Sequence, residues 1–258
     1  MRPLTELQAG EVRALLFDID DTLTTEGKLT AGAYTALERL KRAGLNLVPV
    51  TGRPAGWCDH IARMWPVDAV VGENGAFYFY YHAGKLHRRY FDDESIRIRN
   101  RLRFKAISEK IISSVPGTAL AADQLYRETD IAIDWREDVP PLPLEVAERI
   151  AALMREAGLS ARVSSIHVNG WFGSYDKLAM TRRLFAERFE LDLDAANASV
   201  VFAGDSPNDE PMFGFFRNSV GVANVRRFRL SQKPKYVTRE EAGRGFEELA
   251  LYLSAQTS

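Results

Sequence analysis

Strand and helix signals alternate at both ends of this chain and give way to a different texture in its middle. No other feature constrains the fold as much. Near the N-terminus the apolar run VRALLFDI, residues 12–19, has the length of a strand buried in a parallel sheet. TAGAYTALERLKRAG follows as a helix, with Ala33, Leu37 and Leu40 on one face, Thr30 as N-cap and Gly44 at the end. LNLVPV reads as the next strand, AGWCDHIARMW as a helix, and DAVVGENGAFYFYY as a third strand with a glycine-bounded interruption. This β-α-β-α-β order implies a parallel sheet with right-handed crossovers. The same grammar returns later, in the helix YDKLAMTRRLFAERF, the strands ASVVFAG and SVGVAN, and the closing helix GRGFEELALYLS.

Between these halves YHAGKLHRRYF reads as a hairpin turning at Ala83-Gly84. SIRIRNRLRFKAISEKIISSV reads as a helix, with Phe104, Ile107, Ile111 and Val115 at helical spacing. YRETDIAIDW and ARVSSIHVNGWF read as strands around the helix LPLEVAERIAALMREAG. The expected fold class is therefore α/β: a doubly wound, Rossmann-like parallel sheet core with an inserted α+β domain. The core is assigned to residues 1–81 and 174–258, and the insertion to 82–173.

The balance of 34 basic and 35 acidic residues leaves a net charge of −1, which argues against nucleic acid or an anionic membrane as partner. A single cysteine, Cys58, fits a reducing compartment, and MRPLTELQAG has no apolar h-region. The expectation is a cytoplasmic, soluble protein, either monomer or homodimer. The four histidines show no zinc-ligand spacing.

In open parallel sheets the working groups lie beyond the carboxyl ends of the strands. Asp18, Asp20 and Asp21 follow the first strand, and Thr51-Gly52-Arg53 follows the second. Lys177 opens the helix that re-enters the core, and GDSPND, residues 204–209, follows ASVVFA. Like charges crowded at one strand end oppose each other's ionisation unless a cation or a proton sits among them. Carboxylate oxygens suit Mg²⁺, while a hydroxyl, an ammonium and backbone N–H groups suit a phosphoryl group.

In this order DIDDT, VTGR, Lys177 and GDSPND resemble the four motifs of the haloacid dehalogenase-type phosphohydrolases. The resemblance implies a phosphatase with Asp18 as nucleophile and Asp20 as the acid and base. Thr51 and Lys177 would hold the phosphoryl oxygens, and Mg²⁺ would sit on Asp18, Asp20, Asp205 and Asp209. Gly52, Arg53, Asn208, His167 and Asn169 are candidates for substrate contact, Asn208 by orienting Lys177 or a metal-bound water. The long interval between Arg53 and Lys177 resembles the family's second cap type (subfamily IIB). That branch contains the Cof-like, sucrose-phosphate and mannosyl-phosphoglycerate phosphatases and phosphomannomutase. A small phosphorylated metabolite, such as a sugar phosphate, is the implied partner; a phosphomutase or a non-catalytic binding protein is the alternative. Two features read as structural: Trp57 and Ile61 as packing residues of their helix, and the basic residues of 97–105 as a solvated face.

Overall fold

The computed structural model describes residues 1–8 and 12–256. In chain order the strands are β1 (Arg2–Pro3), β2 (Ala14–Phe17), β3 (Asn46–Pro49), β4 (Val70–Gly72), β5 (Phe77–His82), β6 (Lys85–Tyr90), β7 (Ala119–Leu120), β8 (Asp130–Asp134), β9 (Ser160–Val163), β10 (His167–Trp171), β11 (Val200–Gly204), β12 (Asn218–Gly221) and β13 (Tyr236–Val237). The α-helices are α1 (Ala31–Arg42), α2 (Ala55–Met64), α3 (Glu94–Ser114), α4 (Leu144–Glu156), α5 (Lys177–Arg188), α6 (Leu193–Ala196), α7 (Glu210–Phe215) and α8 (Ala242–Ser254). None of the described helices is long and apolar enough to cross a membrane.

Six strands form one parallel sheet in the order β1-β13-β12-β11-β2-β3. Alternate residues point to opposite faces. Leu15, Phe17, Leu47, Val201 and Ala203 pack with α1 and α8. Leu16, Val48, Val200 and Phe202 pack with α5 and α7 on the other side. Both faces are covered, so the strands read as continuous apolar runs. Each large side chain removed from water there contributes about 2 kcal/mol. Thr30 caps α1 by accepting from the Ala33 N–H, as its sequence predicts. Phe17 is level with Ala203 on one side and Pro49 on the other, so the residues that follow the three strands leave the sheet side by side.

Two segments differ from the sequence expectation. DAVVGENGAFYFYY is two antiparallel strands, β4 and β5, because Glu73, Asn74 and Gly75 all take positive φ (42°, 55° and 106°) and reverse the chain. β4 joins the parallel sheet through one bridge, Val50 to Val71, and β6 completes a small sheet β4-β5-β6. ARVSSIHVNGWF is likewise a hairpin, β9 and β10. There the Ser164 hydroxyl accepts from the His167 N–H at 3.0 Å and tightens the turn.

A second, antiparallel sheet runs β7-β8-β10-β9. Ile131, Ile133 and Val168 turn one face to α3 and α4, where Phe104, Ile111, Ile150 and Met154 close a separate core. By the same alternation Asp130, Asp134, His167 and Asn169 stand on the opposite face, and all are buried. Buried polar side chains at alternate positions of two paired strands have to be satisfied across an interface. They face the polar ends of the parallel sheet.

The reversal at Gly75 braces the start of α5. A Cβ at Gly75 would lie 2.0 Å from the Asp176 carbonyl oxygen, whereas one at Gly84, also at positive φ, meets open space. In urea denaturation Gly75→Ala should lose at least about 2 kcal/mol and Gly84→Ala only about 1 kcal/mol. Equal losses would show that the close approach to α5 does not matter.

Candidate active site

Asp18 follows β2 directly, and its N–H donates to the Ala203 carbonyl, extending the pairing of β2 with β11. Asp205 follows β11, and Asp209 lies four residues on, at the end of a short 3-10 turn. Gly204 makes the return possible, since a Cβ there would lie 2.4 Å from Asp209 Oδ2. Asp209 Oδ2 accepts from the N–H groups of Asp205 (3.0 Å) and Ser206 (3.3 Å), and Ser206 completes a capping box with Asp209. Lys177, the first residue of α5, brings its ammonium between two carboxylates, 2.9 Å from Asp18 Oδ1 and 2.7 Å from Asp209 Oδ1. Thr22 and Asn224 donate to the two oxygens of Asp205. All four charged side chains are buried.

One lysine does not balance three carboxylates. Burial pushes Asp18 up to about 7, Lys177 opposes this, and Asp209 and Asp20 add to it. Burial, then Asp18 and Asp209, hold Asp205 well above the carboxylate range. Burial works against the Lys177 ammonium, but Asp18 and Asp209 outweigh it and keep the lysine charged. One ligand oxygen from each of Asp18, Asp205 and Asp209 lies within 4.8 Å of the others. Hard oxygen donors at this spacing, with a deficit of positive charge, fit a divalent cation.

The remaining sequence candidates gather around this centre. The Thr51 hydroxyl accepts from the Arg53 N–H at 3.0 Å. Arg53 grips Asp20 through Nε (3.0 Å) and Nη2 (2.7 Å) and lies over the exposed ring of Trp57, so Trp57 does not pack its helix, although Ile61 does. The Gly52 carbonyl accepts from Arg127 at 2.9 Å, and Asn169 donates to Asp130 at 2.8 Å. Asn208 bonds Ser206 and Asn74, and it is Asp18 and Asp209 that orient Lys177. Asp18, Asp20, Gly52, Arg53, His167, Asn169 and Asn208 share the lining of one inner cavity of only about 10 Å³. Asp20, Arg53 and Ile166 also line an outer cavity of about 360 Å³. Thr51, Lys177, Asp205 and Asp209 line neither cavity.

Several charged residues here were not singled out from the sequence. Glu137, from the turn after β8, accepts from Arg53 Nη2 at 2.9 Å, and its other oxygen is 2.9 Å from His167 Nε2. Despite burial, His167 and Arg53 hold Glu137 down at about 2. The Asp134 carboxylate fixes that turn by accepting from the N–H groups of residues 136, 137 and 138. Arg127 pairs with Asp130 and Asp123 while reaching Gly52. Glu73 accepts from the N–H groups of Ala55, Glu128 and Thr129 and from the Thr129 hydroxyl, tying the parallel-sheet side to the antiparallel one. Burial and Asp130 push it up to about 7 against the pull of Arg127. GENGA and DIAID were visible, but nothing in either says that Glu73 accepts from N–H groups of other elements or that Asp130 meets Arg127.

Comparison with known proteins agrees with this geometry. The family model for haloacid dehalogenase-like hydrolases matches residues 15–100, which include Asp18, Asp20 and the Thr51–Arg53 stretch. Over this stretch the chain is similar to the haloacid dehalogenase-like hydrolases. A phosphoglycolate phosphatase of Haloarcula marismortui is 29% identical over 252 residues, covering 91% of this chain and 94% of that protein. Among solved structures, protein 0175 of Thermoplasma acidophilum superposes with a TM-score of 0.69 at 18% identity, covering 94% and 98% of the two chains. The sucrose-phosphatase of a Synechocystis species, solved with sucrose and phosphate, gives 0.62 at 17% identity, covering 98% of each. These two share the fold over nearly the whole of this chain.

A cation at this triad would compete with protons for the same buried carboxylates. Affinity for Mg²⁺ or Mn²⁺ should therefore rise as pH rises towards 7, by about tenfold per pH unit if one proton is displaced. Without the cation, carboxylates raised above their unfolded values lend stability that is complete below pH 4 and lost as pH rises to about 7. Calorimetric metal titrations at pH 6 and 7.5 check the first expectation, and urea melts of the metal-free protein check the second. Metal affinity independent of pH would contradict this reading of the triad.

Proposed function

We propose that this hydrolase is a Mg²⁺-dependent phosphatase that removes the phosphoryl group from a small phosphorylated metabolite through an aspartyl-phosphate on Asp18. One observation carries the reading: Asp18, Asp205, Asp209 and Lys177, from three separate stretches of chain, meet as one buried cluster beyond adjacent parallel strands. A structural role for such a cluster is a poor alternative, because buried like charges weaken a fold. Both the curated relative and the Synechocystis structure are named as phosphatases, which supports the same reaction class.

When bound, Mg²⁺ would be held by Asp18, Asp205 and Asp209, with Asp20 contributing its carbonyl, and it would neutralise charge on the phosphoryl oxygens. Lys177 holds the Asp18 carboxylate in one orientation and offers a second positive charge to the transferring group. A carboxylate oxygen of Asp18 attacks phosphorus, and the bond to the leaving oxygen breaks as that oxygen takes a proton from Asp20. Asp20 then takes a proton from the water that hydrolyses the acyl phosphate. Arg53 fixes Asp20 from the side away from the metal cluster, and the antiparallel cap closes the site against bulk water.

Asp18→Asn should lower Mg²⁺-dependent phosphate release by at least about a thousandfold while circular dichroism remains that of the wild type. A panel of sugar phosphates and small phosphorylated acids provides the assay. Phosphate release by the variant close to the wild-type rate would remove Asp18 as the nucleophile.

A further inference from the structure

Glu137 fills a position that does not need a carboxylate from the chain. One of its oxygens is 2.9 Å from Arg53 Nη2 and the other 2.9 Å from His167 Nε2, so one carboxylate spans two donors. The two donors are more deeply buried than the acceptor. The side chains of Arg53 and His167 are 10% and 3% exposed, and that of Glu137 is 27% exposed. The contact with His167 is short but poorly directed, and the ring nitrogen is left without a well-formed hydrogen bond despite its burial. A buried donor in that condition calls for a better-placed acceptor. We propose that Arg53 and His167 form a recognition pair for a carboxylate on the substrate, and that Glu137 is an internal stand-in which the substrate displaces.

The proposal rests on the phosphatase reading above and names the class of ester that the site selects. Arg53 also grips Asp20, the proposed proton donor to the leaving oxygen. A group bound between Arg53 and His167 therefore sits one guanidinium away from the leaving oxygen, as it would in a phosphorylated short hydroxy acid. The inner cavity, about 10 Å³, leaves no room for a bulky leaving group in this closed arrangement. Exchanging Glu137 for a substrate carboxylate keeps the charge beside Arg53 unchanged, whereas a neutral group there would leave Arg53 with Asp20 and Asp123 alone. Glu137 has somewhere to go. It lines the outer cavity of about 360 Å³, whose wall also carries Arg136 and Arg227. Asp134 holds the backbone of the turn, so the exchange requires only rotation of the Glu137 side chain.

The test compares hydrolysis of 2-phosphoglycolate with that of ethyl phosphate, which lacks the carboxylate, and measures glycolate binding by calorimetry. The wild type should favour 2-phosphoglycolate by about a hundredfold in kcat/KM, and His167→Gln should cut that ratio about tenfold. Glycolate should bind about tenfold more weakly to His167→Gln and about tenfold more tightly to Glu137→Gln, which has lost the competing charge. A residue that merely braced the site would weaken binding when Glu137 is changed, so the opposite sign identifies the stand-in. Equal hydrolysis of the two esters, or weaker glycolate binding by Glu137→Gln, would overturn the recognition pair and leave the phosphatase intact. Hydrolysis of neither ester nor of any member of the wider panel, with glycolate binding in the expected order, would support the pair and overturn the phosphatase.

Discussion

Three buried carboxylates around one lysine are the constraint on which the rest of this molecule depends. Burial and mutual repulsion oppose the ionisation of Asp18 and Asp205, and Lys177 offsets only part of that. Such a cluster is tolerable in a folded protein when protons or a cation complete it, and useful when a reaction draws on the imbalance. The parallel sheet is what brings the charges together. With β2, β3 and β11 in level register, Asp18, Thr51 and Asp205 leave adjacent strands at the same end. Helix α5 then points Lys177 inward from its first residue.

The antiparallel sheet supplies a second layer of charge that belongs to neither core alone. Glu73 receives its hydrogen bonds from both sides, Arg127 reaches Gly52 across the interface, and Arg53 is shared by Asp20 and Glu137. These are charge-assisted contacts between buried groups, and breaking one leaves an uncompensated charge. They join residues of the antiparallel sheet and its turns to the ends of the parallel one.

What the sequence shows and what it withholds divide along a physical line. Elements governed by local pattern were legible: the cap at Thr30, the apolar strands, the Ala83-Gly84 turn, and the polar residues that follow strand ends. Asp18, Asp20, Thr51, Lys177, Asp205 and Asp209 could be named because they lie after predicted strands, or at the start of the helix that re-enters the core, in an order that resembles the four motifs of the haloacid dehalogenase-type phosphohydrolases. The reversal at GENG was not legible as a reversal, because positive φ at Glu73 and Asn74 is a conformation that residues other than glycine seldom adopt. Glu137, Arg127 and Asp130 were missed for a related reason. Each lies on an ordinary polar turn or strand edge in sequence, and only pairing across two sheets makes it part of a site. His167 and Asn169 fall between these cases. Their proximity to Lys177 was visible, but their inward direction follows from the alternation along β10 once its partner strands are known.

The most direct measurement is to trap the covalent intermediate. The wild type, mixed with Mg²⁺ and a phosphorylated substrate that it turns over, would be quenched in acid within milliseconds, digested and examined by mass spectrometry. A phosphoryl group on Asp18, absent when the metal is withheld, is the expected result. Continued turnover with a phosphoryl group on another side chain, or with none on the protein at any quench time, would contradict nucleophilic attack by Asp18.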